Sequence, residues 1–408
     1  MTGVFRGKRQ ISITAIMLVL FACSGCATVR HPVPQDLVDR AQVGSMDDVR
    51  VMVGEHHTAL QENLLESIKQ ESAEDFPIGP DGIRVYPVLA LSGGGANAAY
   101  GAGLLKGWSH EGSRPEFKIV TGVSAGAIMA PLVFLGKEYD GQLETLFTTM
   151  STKDFLTPKG PLSALFGDSL ASNKPLAKII AREIDEDLLA KLAAEHKSGR
   201  RLFVGTANLD AQRFVVWDMG AIACRGDIEL FRKVILASAA IPVVFPPSIF
   251  HVGADGGSYD EMHSDGGTVT QVFTTYKLLD GMRAAAKRLG IDPSKLRSKL
   301  YLIRNGYMSP TYMTVKDNLA SVAQRSFDTI IDSQGVGDAY RIYVFMKQRG
   351  NDYNLAFIPS DFIDESKEMF DPAAMRKLFD RGYQDAAGGY KWHKVPPGME
   401  ASAEEAAK

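Results

Sequence analysis

Phe117-Lys118-Ile119-Val120-Thr121-Gly122-Val123-Ser124-Ala125-Gly126-Ala127-Ile128-Met129-Ala130-Pro131-Leu132-Val133-Phe134-Leu135 is the stretch from which the architecture follows. Phe117 to Thr121 is a short strand, Ala125 to Leu135 is an apolar helix, and Gly122 to Gly126 between them spell G-x-S-x-G. A strand that turns into a helix this sharply forces its serine into a strained backbone state and leaves room only for small neighbours. The turn lifts the hydroxyl above the end of the strand, and the helix N-terminus directs partial positive charge at it. The pentapeptide alone is common; strand and helix on either side supply the context of a nucleophile elbow. Ser124 is the candidate nucleophile.

Outward from the elbow the same alternation continues. Val85 to Leu91 is a strand, with Pro87 predicting that the strand proper starts near Val88. Ala96 to Trp108 is helix-compatible, Leu202 to Ala207 is a buried-type strand, Ile228 to Ala239 is a helix ending before Ile241-Pro242, and Lys299 to Ile303 is a further strand. Asp371-Pro372 opens a last helix with a capping Asp and Pro at its first position. Strands alternating with helices predict an α/β fold with a mostly parallel sheet covered on both faces. Before this region, residues 47–72 have helical spacing and residues 75–82 form a turn-rich linker. The expected organisation is a leader over 1–25, an N-terminal helical segment and linker over 26–82, a catalytic domain over 83–388 and a loose tail over 389–408.

Composition bounds the function. Of 408 residues, 45% are hydrophobic and 23% charged, enough apolar content to exclude global disorder. Lys plus Arg number 45 against 48 for Asp plus Glu, so no basic excess points to nucleic acid. Three cysteines cannot form a disulfide framework. Arg6, Lys8 and Arg9 precede an apolar run from Ile11 to Ala22, too short for a bilayer core and suited to a secretory signal. Cys23-Ser24-Gly25-Cys26-Ala27 then resembles the lipobox of bacterial lipoproteins. Cys26, with Ser24 and Gly25 before it, is the expected lipidated residue, and Cys23 is its rival. Acylation would anchor the mature chain at the bacterial cell envelope, on the outer membrane, facing the periplasm or the surface.

Ser92-Gly93-Gly94-Gly95-Ala96-Asn97 follows the strand that ends at Leu91. Three glycines let backbone N–H groups approach a substrate oxygen, so Gly93, Gly94 and Gly95 are candidate oxyanion donors. Gly93, Gly95 and Ala98 also satisfy a dinucleotide fingerprint, but the next strand ends in Val120-Thr121, where that reading needs an acid. No Gly-Lys-Ser/Thr follows to make a phosphate loop. No metal or cofactor is expected.

A serine nucleophile needs a proton acceptor. After Ser124 the histidines are His196, His251, His263 and His393, each without a distinctive motif. Two Asp-Gly-Gly triplets begin at Asp255 and Asp265. Asp255-Gly256 reads as the turn of a hairpin between strands at 249–252 and 259–263. Asp265 ends the return strand, where the glycines leave it free to face a site, and it is the expected base.

The glycine-rich loop, the G-x-S-x-G elbow and the later Asp-Gly-Gly, in that order, resemble the patatin-like phospholipases. Ala237-Ser238-Ala239-Ala240-Ile241-Pro242 and Gly205-Thr206-Ala207-Asn208-Leu209-Asp210 resemble segments of that family's bacterial lipoprotein members. The resemblance implies a three-layer α/β/α fold, a Ser124–Asp265 dyad without histidine, and hydrolysis of lipid or phospholipid esters through an acyl-enzyme. One departure is that Asn97 and Ala98 stand where the family loop carries a basic residue and glycine. The alternatives are a Ser-His-Asp esterase using His263 or His393, and an inactive envelope binding lipoprotein.

Overall fold

Alternate residues of the first central strand face opposite ways, and from Tyr86 onward both faces are largely apolar, which is what a sheet covered on both sides requires. In β2, Arg84–Leu91, Leu89 and Leu91 belong to one core while Tyr86, Val88 and Ala90 belong to another. The computed structural model describes residues 30–399, apart from 45, 47–48, 54–57, 161–166 and 275. The leader and both lipobox cysteines, Cys23 and Cys26, lie outside the described residues, as do residues 400–408.

The nine strands of the main sheet are β1 (Arg50–Met52), β2, β3 (Ile119–Val123), β4 (Arg201–Asn208), β5 (Arg213–Asp218), β6 (Ser248–Ala254), β7 (Gly257–Asp265), β8 (Leu296–Arg304) and β9 (Asp352–Phe357). Their spatial order is β1-β5-β4-β3-β2-β8-β9, and β7, with β6 beside it, pairs with the end of β4. The five strands from β9 to β4 are mutually parallel; β5, β1 and the β6–β7 hairpin add antiparallel edges.

Eight helices matter to the site: α1 (Thr58–Gln70), α2 (Ala98–Glu111), α3 (Ala125–Leu135), α4 (Lys174–Glu183), α5 (Ile228–Ser238), α6 (Tyr276–Arg288), α7 (Leu319–Gln348) and α8 (Pro372–Ala387). Residues of α2, α3, α4, α5 and α8 fill the first core, and residues of α1, α6 and α7 fill the second. The result is the expected three-layer α/β/α arrangement. Among the described residues no helix is long and apolar enough to cross a membrane.

The expected boundaries shift in three places. The helical spacing over 47–72 resolves into edge strand β1 and helix α1, because Arg50 to Met52 pair with Trp217 to Val215. Pro87 lies inside β2 rather than before it. Its carbonyl accepts from Lys118 N at 2.9 Å on the β3 side, and its missing N–H falls where β3 has not yet begun. The chain beyond Gly388 is pinned as far as residue 399: Trp392 packs on Trp108 and Tyr301, and His393 and Leu355 exchange backbone hydrogen bonds.

Candidate active site

Ser124 sits between β3 and α3 with φ 55° and ψ −124°, a conformation that L residues rarely adopt. Neighbouring contacts hold it there. A Cβ on Gly126 would lie 2.5 Å from the Leu91 carbonyl oxygen, so only glycine lets α3 start this close to β2. Ser124 N donates to Ser238 Oγ at 3.0 Å, and Ser238 Oγ donates to the Gly205 carbonyl at 2.6 Å. One hydroxyl on α5 thus ties the elbow to β4.

Asp265 reaches the same place along the same edge of β4, where β7 takes over as β3 ends. Val123 pairs with Gly205, and Asp265 pairs with Thr206, the next residue. The Ser124 side chain faces the Asp265 carboxylate, which accepts from Gly267 N at 2.7 Å. Both residues are buried. Burial pushes the Asp265 carboxyl up to about 7, and the nearby Ser124 hydroxyl and the bond from Gly267 only partly offset it.

The other aspartate has a different role. Asp255 and Gly256, with φ of 47° and 81°, are the two-residue turn between β6 and β7, and Asp255 pairs with Arg40 at 2.7 Å. This is the hairpin the sequence predicted.

The glycine loop divides its tasks. Gly93 abuts Ser124: a Cβ there would lie 3.1 Å from Ser124 Cβ. Its N–H, however, donates to the Gln271 carbonyl at 3.0 Å, which removes it from the expected set of oxyanion donors. The N–H groups of Gly94 and Gly95 make no hydrogen bond among the described residues and remain available. Gly94 has φ 150° and passes so close to Asn305 that a Cβ would lie 2.1 Å from that residue's carbonyl oxygen. Asn305 also donates through N to Ser92 Oγ at 2.8 Å and through Nδ2 to the Ser92 carbonyl at 2.9 Å. Asn97 makes no side-chain bond to the start of α2.

The histidines considered as bases are engaged elsewhere. His263 is fully buried, with Nδ1 2.9 Å from Thr206 Oγ1 and Nε2 3.0 Å from Glu261 Oε2. Trp217 Nε1 donates to Thr206 Oγ1 and Arg50 pairs with Glu261, which completes a closed polar cluster. Burial lowers the His263 pKa, so the ring is neutral. His393 stacks on Phe357. A cavity of about 590 Å³ between α4, α5 and β6 contains neither Ser124 nor Asp265.

Four residues that support the site were not picked out by sequence reasoning. Ser238 lay in a quoted segment without a role. Gln271, Asn305 and Asp338 gave no signal, because each acts through a backbone contact to a segment remote in the chain. An Asn at the end of a central strand was the one sign available for Asn305.

Residues 89–276 match the model of the family described as patatin-like phospholipase. No curated protein matches the chain. Among solved structures, VipD from Legionella pneumophila is similar at 13% identity over 76% of this chain and 69% of its own, with a TM-score of 0.37. The type III effector protein ExoU is similar at 13% identity over 77% of this chain and 56% of its own, with a TM-score of 0.24. At those scores neither likeness bears on the fold, which is read from the sheet and its two helical layers.

Proposed function

We propose, on the premise that residues 89–276 are a patatin-like phospholipase domain and the chain therefore a hydrolase of the phospholipase and esterase type, that it cleaves carboxylic esters of lipids through a Ser124–Asp265 dyad. The observation that supports this reading is the placement of Ser124 against a buried carboxylate whose pKa is pushed up to about 7. A carboxylate of ordinary pKa, near 3.9, is a weak base at neutral pH; one near 7 is matched to the task.

Asp265 takes the Ser124 proton as Oγ attacks the ester carbonyl. The Gly94 and Gly95 amides receive the developing oxyanion, each such donor contributing about 3 kcal/mol in comparable sites. The tetrahedral intermediate expels the alcohol, which takes the proton from Asp265, and the acyl group stays on Ser124. Water then gives its proton to Asp265, attacks the acyl-enzyme, and releases the acid and free Ser124.

The test pairs fluorophosphonate labelling with hydrolysis of a lipid panel by the wild-type chain, Asp265→Asn and Asp255→Asn. Labelling at Ser124, loss of hydrolysis in the first variant and retention in the second are expected. Activity surviving in Asp265→Asn but lost in Asp255→Asn would assign the base to the hairpin turn.

The same proposal includes an acylated Cys26 that holds the chain at the cell envelope. Fatty-acid labelling in cells should vanish in Cys26→Ser; labelling that persists there and vanishes in Cys23→Ser would move the anchor.

A further inference from the structure

Large apolar side chains exposed on this protein are not scattered evenly. Tyr312 is 95% exposed, Leu319 87% and Ile330 64%, with Met313 and Val322 about half exposed. All five lie in the segment that follows β8, whose last residues lead through Asn305 directly past the glycine loop. The carboxyl ends of the parallel strands, where Ser124 lies, are therefore the edge from which this segment departs.

The register of α7 places its first turns beyond that edge. Arg304, the last residue of β8, donates to the Asp332 carbonyl at 3.1 Å, and α7 then descends along the sheet with Ala339, Ile342, Tyr343 and Met346 buried. Residues of α7 before Asp332 thus project past the sheet. Leu319, Val322 and Ile330 fall on one stripe of this projecting part, at spacings of three and eight residues. Between 309 and 330 the only charges are Lys316, Asp317, Arg325 and Asp328, which cancel.

The chain's start points to the occupant of this face. Arg30, the first described residue, is held by Asp210 through two hydrogen bonds of 2.7 and 2.6 Å. Asp210 lies just past Asn208, the carboxyl end of β4, so Arg30 sits at the same edge as Ser124. Cys26, the residue proposed above to carry the acyl anchor, precedes Arg30 by four positions.

We propose that this projecting face is a bilayer-docking surface, in which Tyr312, Met313, Leu319, Val322 and Ile330 enter the interfacial region of a membrane and hold the strand ends that carry Ser124 against it. It rests on the lipid-ester reading above. Because the local charges cancel, attachment comes from burial of apolar area and not from attraction to anionic headgroups.

The test measures sedimentation of the full chain with phosphatidylcholine vesicles, with Cys23→Ser and Cys26→Ser present so that no acyl chain contributes. Partition is expected, and it is expected to persist at about 1 M salt, where screening acts within about 3 Å. It should fall at least about tenfold in Leu319→Glu/Val322→Glu/Ile330→Glu. It should be unchanged in Ile78→Glu, an exposed site at the opposite edge beside Arg84. Equal partition of the triple variant, loss of partition in salt, or no partition by the parent would overturn the proposal. So would a parent dimer that the triple variant dissolves without change in partition, since the face would then cover a second copy. Binding needs no turnover, so Ser124→Ala should partition like its parent. Partition without lipid hydrolysis by the parent would count against the hydrolase reading and leave the docking face standing.

Discussion

Asp265 lies against Ser124 because adjacent residues of β4 hold both on one edge: Thr206 pairs with Asp265 and Gly205 pairs with Val123, the residue before the serine, while β5 takes the opposite edge. The two side chains, 141 positions apart in the chain, are set by the register of a single strand that is buried throughout. A slip of one residue in either pairing would turn the carboxylate away from the hydroxyl.

That geometry fixes a pH dependence. With the Asp265 carboxyl near 7, kcat/KM should rise with pH through a midpoint close to 7, and Asp265→Asn should lower it by about 10³ or more. Stability should respond in the opposite sense. Between about pH 4 and 7 the native state keeps a proton that the unfolded chain has released, so unfolding becomes easier as pH rises across that window. Asp265→Asn removes this cost and should be more stable than wild type at about pH 8, by about 1–3 kcal/mol, and little changed at about pH 4. Urea titrations at both pH values check this; an equal change at both would contradict it.

Ser238 carries a second expectation. Its hydroxyl stands between Ser124 N and the Gly205 carbonyl, both buried. Ser238→Ala leaves that donor and that acceptor unpaired, at a cost of about 1–3 kcal/mol. It also frees an elbow whose φ is positive, so kcat should fall about 10- to 100-fold. Ser238→Thr keeps the hydroxyl and should recover much of both. Denaturation and single-turnover kinetics read the two effects separately.

The histidines distinguish a dyad from a triad. His393→Ala should leave kcat unchanged. His263→Ala should cost stability, about 2–4 kcal/mol, because it leaves Glu261 and Arg50 with an incomplete buried cluster. At a temperature where the variant is folded, its kcat should stay within about tenfold of wild type; a loss of about 10⁴ would restore the triad. The lowered pKa of His263 sets the sign of its pH effect. The unfolded chain takes up a proton below about 6.5 that the native ring refuses, so this cluster weakens the fold as pH falls through that range.

Much of this was legible because it is local. An apolar strand, a small-residue elbow and an apolar helix sit within 19 residues, and α3 has the boundaries the sequence predicted. The Asp-Gly turn at 255–256 and the Asp371 cap likewise declare themselves, the latter accepting from Ala373 N and Ala374 N. Contacts between distant segments stayed hidden. Gly93 was expected to donate to an oxyanion, but Gln271, 178 positions away, accepts its N–H. Edge strand β1 was hidden by helical spacing because its partner, β5, lies more than 150 residues further on.

Another of these hidden contacts yields the last expectation. Asp338, buried on α7, accepts from Gln271 N at 2.7 Å, Thr270 Oγ1 at 3.2 Å and Val272 N at 3.4 Å. The peptide it orients then serves both halves of the site: the Gln271 carbonyl fixes Gly93, and Gln271 Nε2 donates to the Gly267 carbonyl at 3.0 Å, beside the Asp265 loop. Asp338→Ala leaves two buried N–H groups without an acceptor and should destabilise the fold by about 2–4 kcal/mol. If the loop also sets the spacing between the Gly94 and Gly95 amides and Ser124, kcat on a soluble ester should fall about 10- to 100-fold with KM nearly unchanged, because the lost interaction acts on the transition state. Asp338→Asn keeps one acceptor oxygen and should lie between wild type and Ala. A loss of stability in Asp338→Ala with full kcat would reduce Asp338 to a helix-to-loop fastener with no hold on the site.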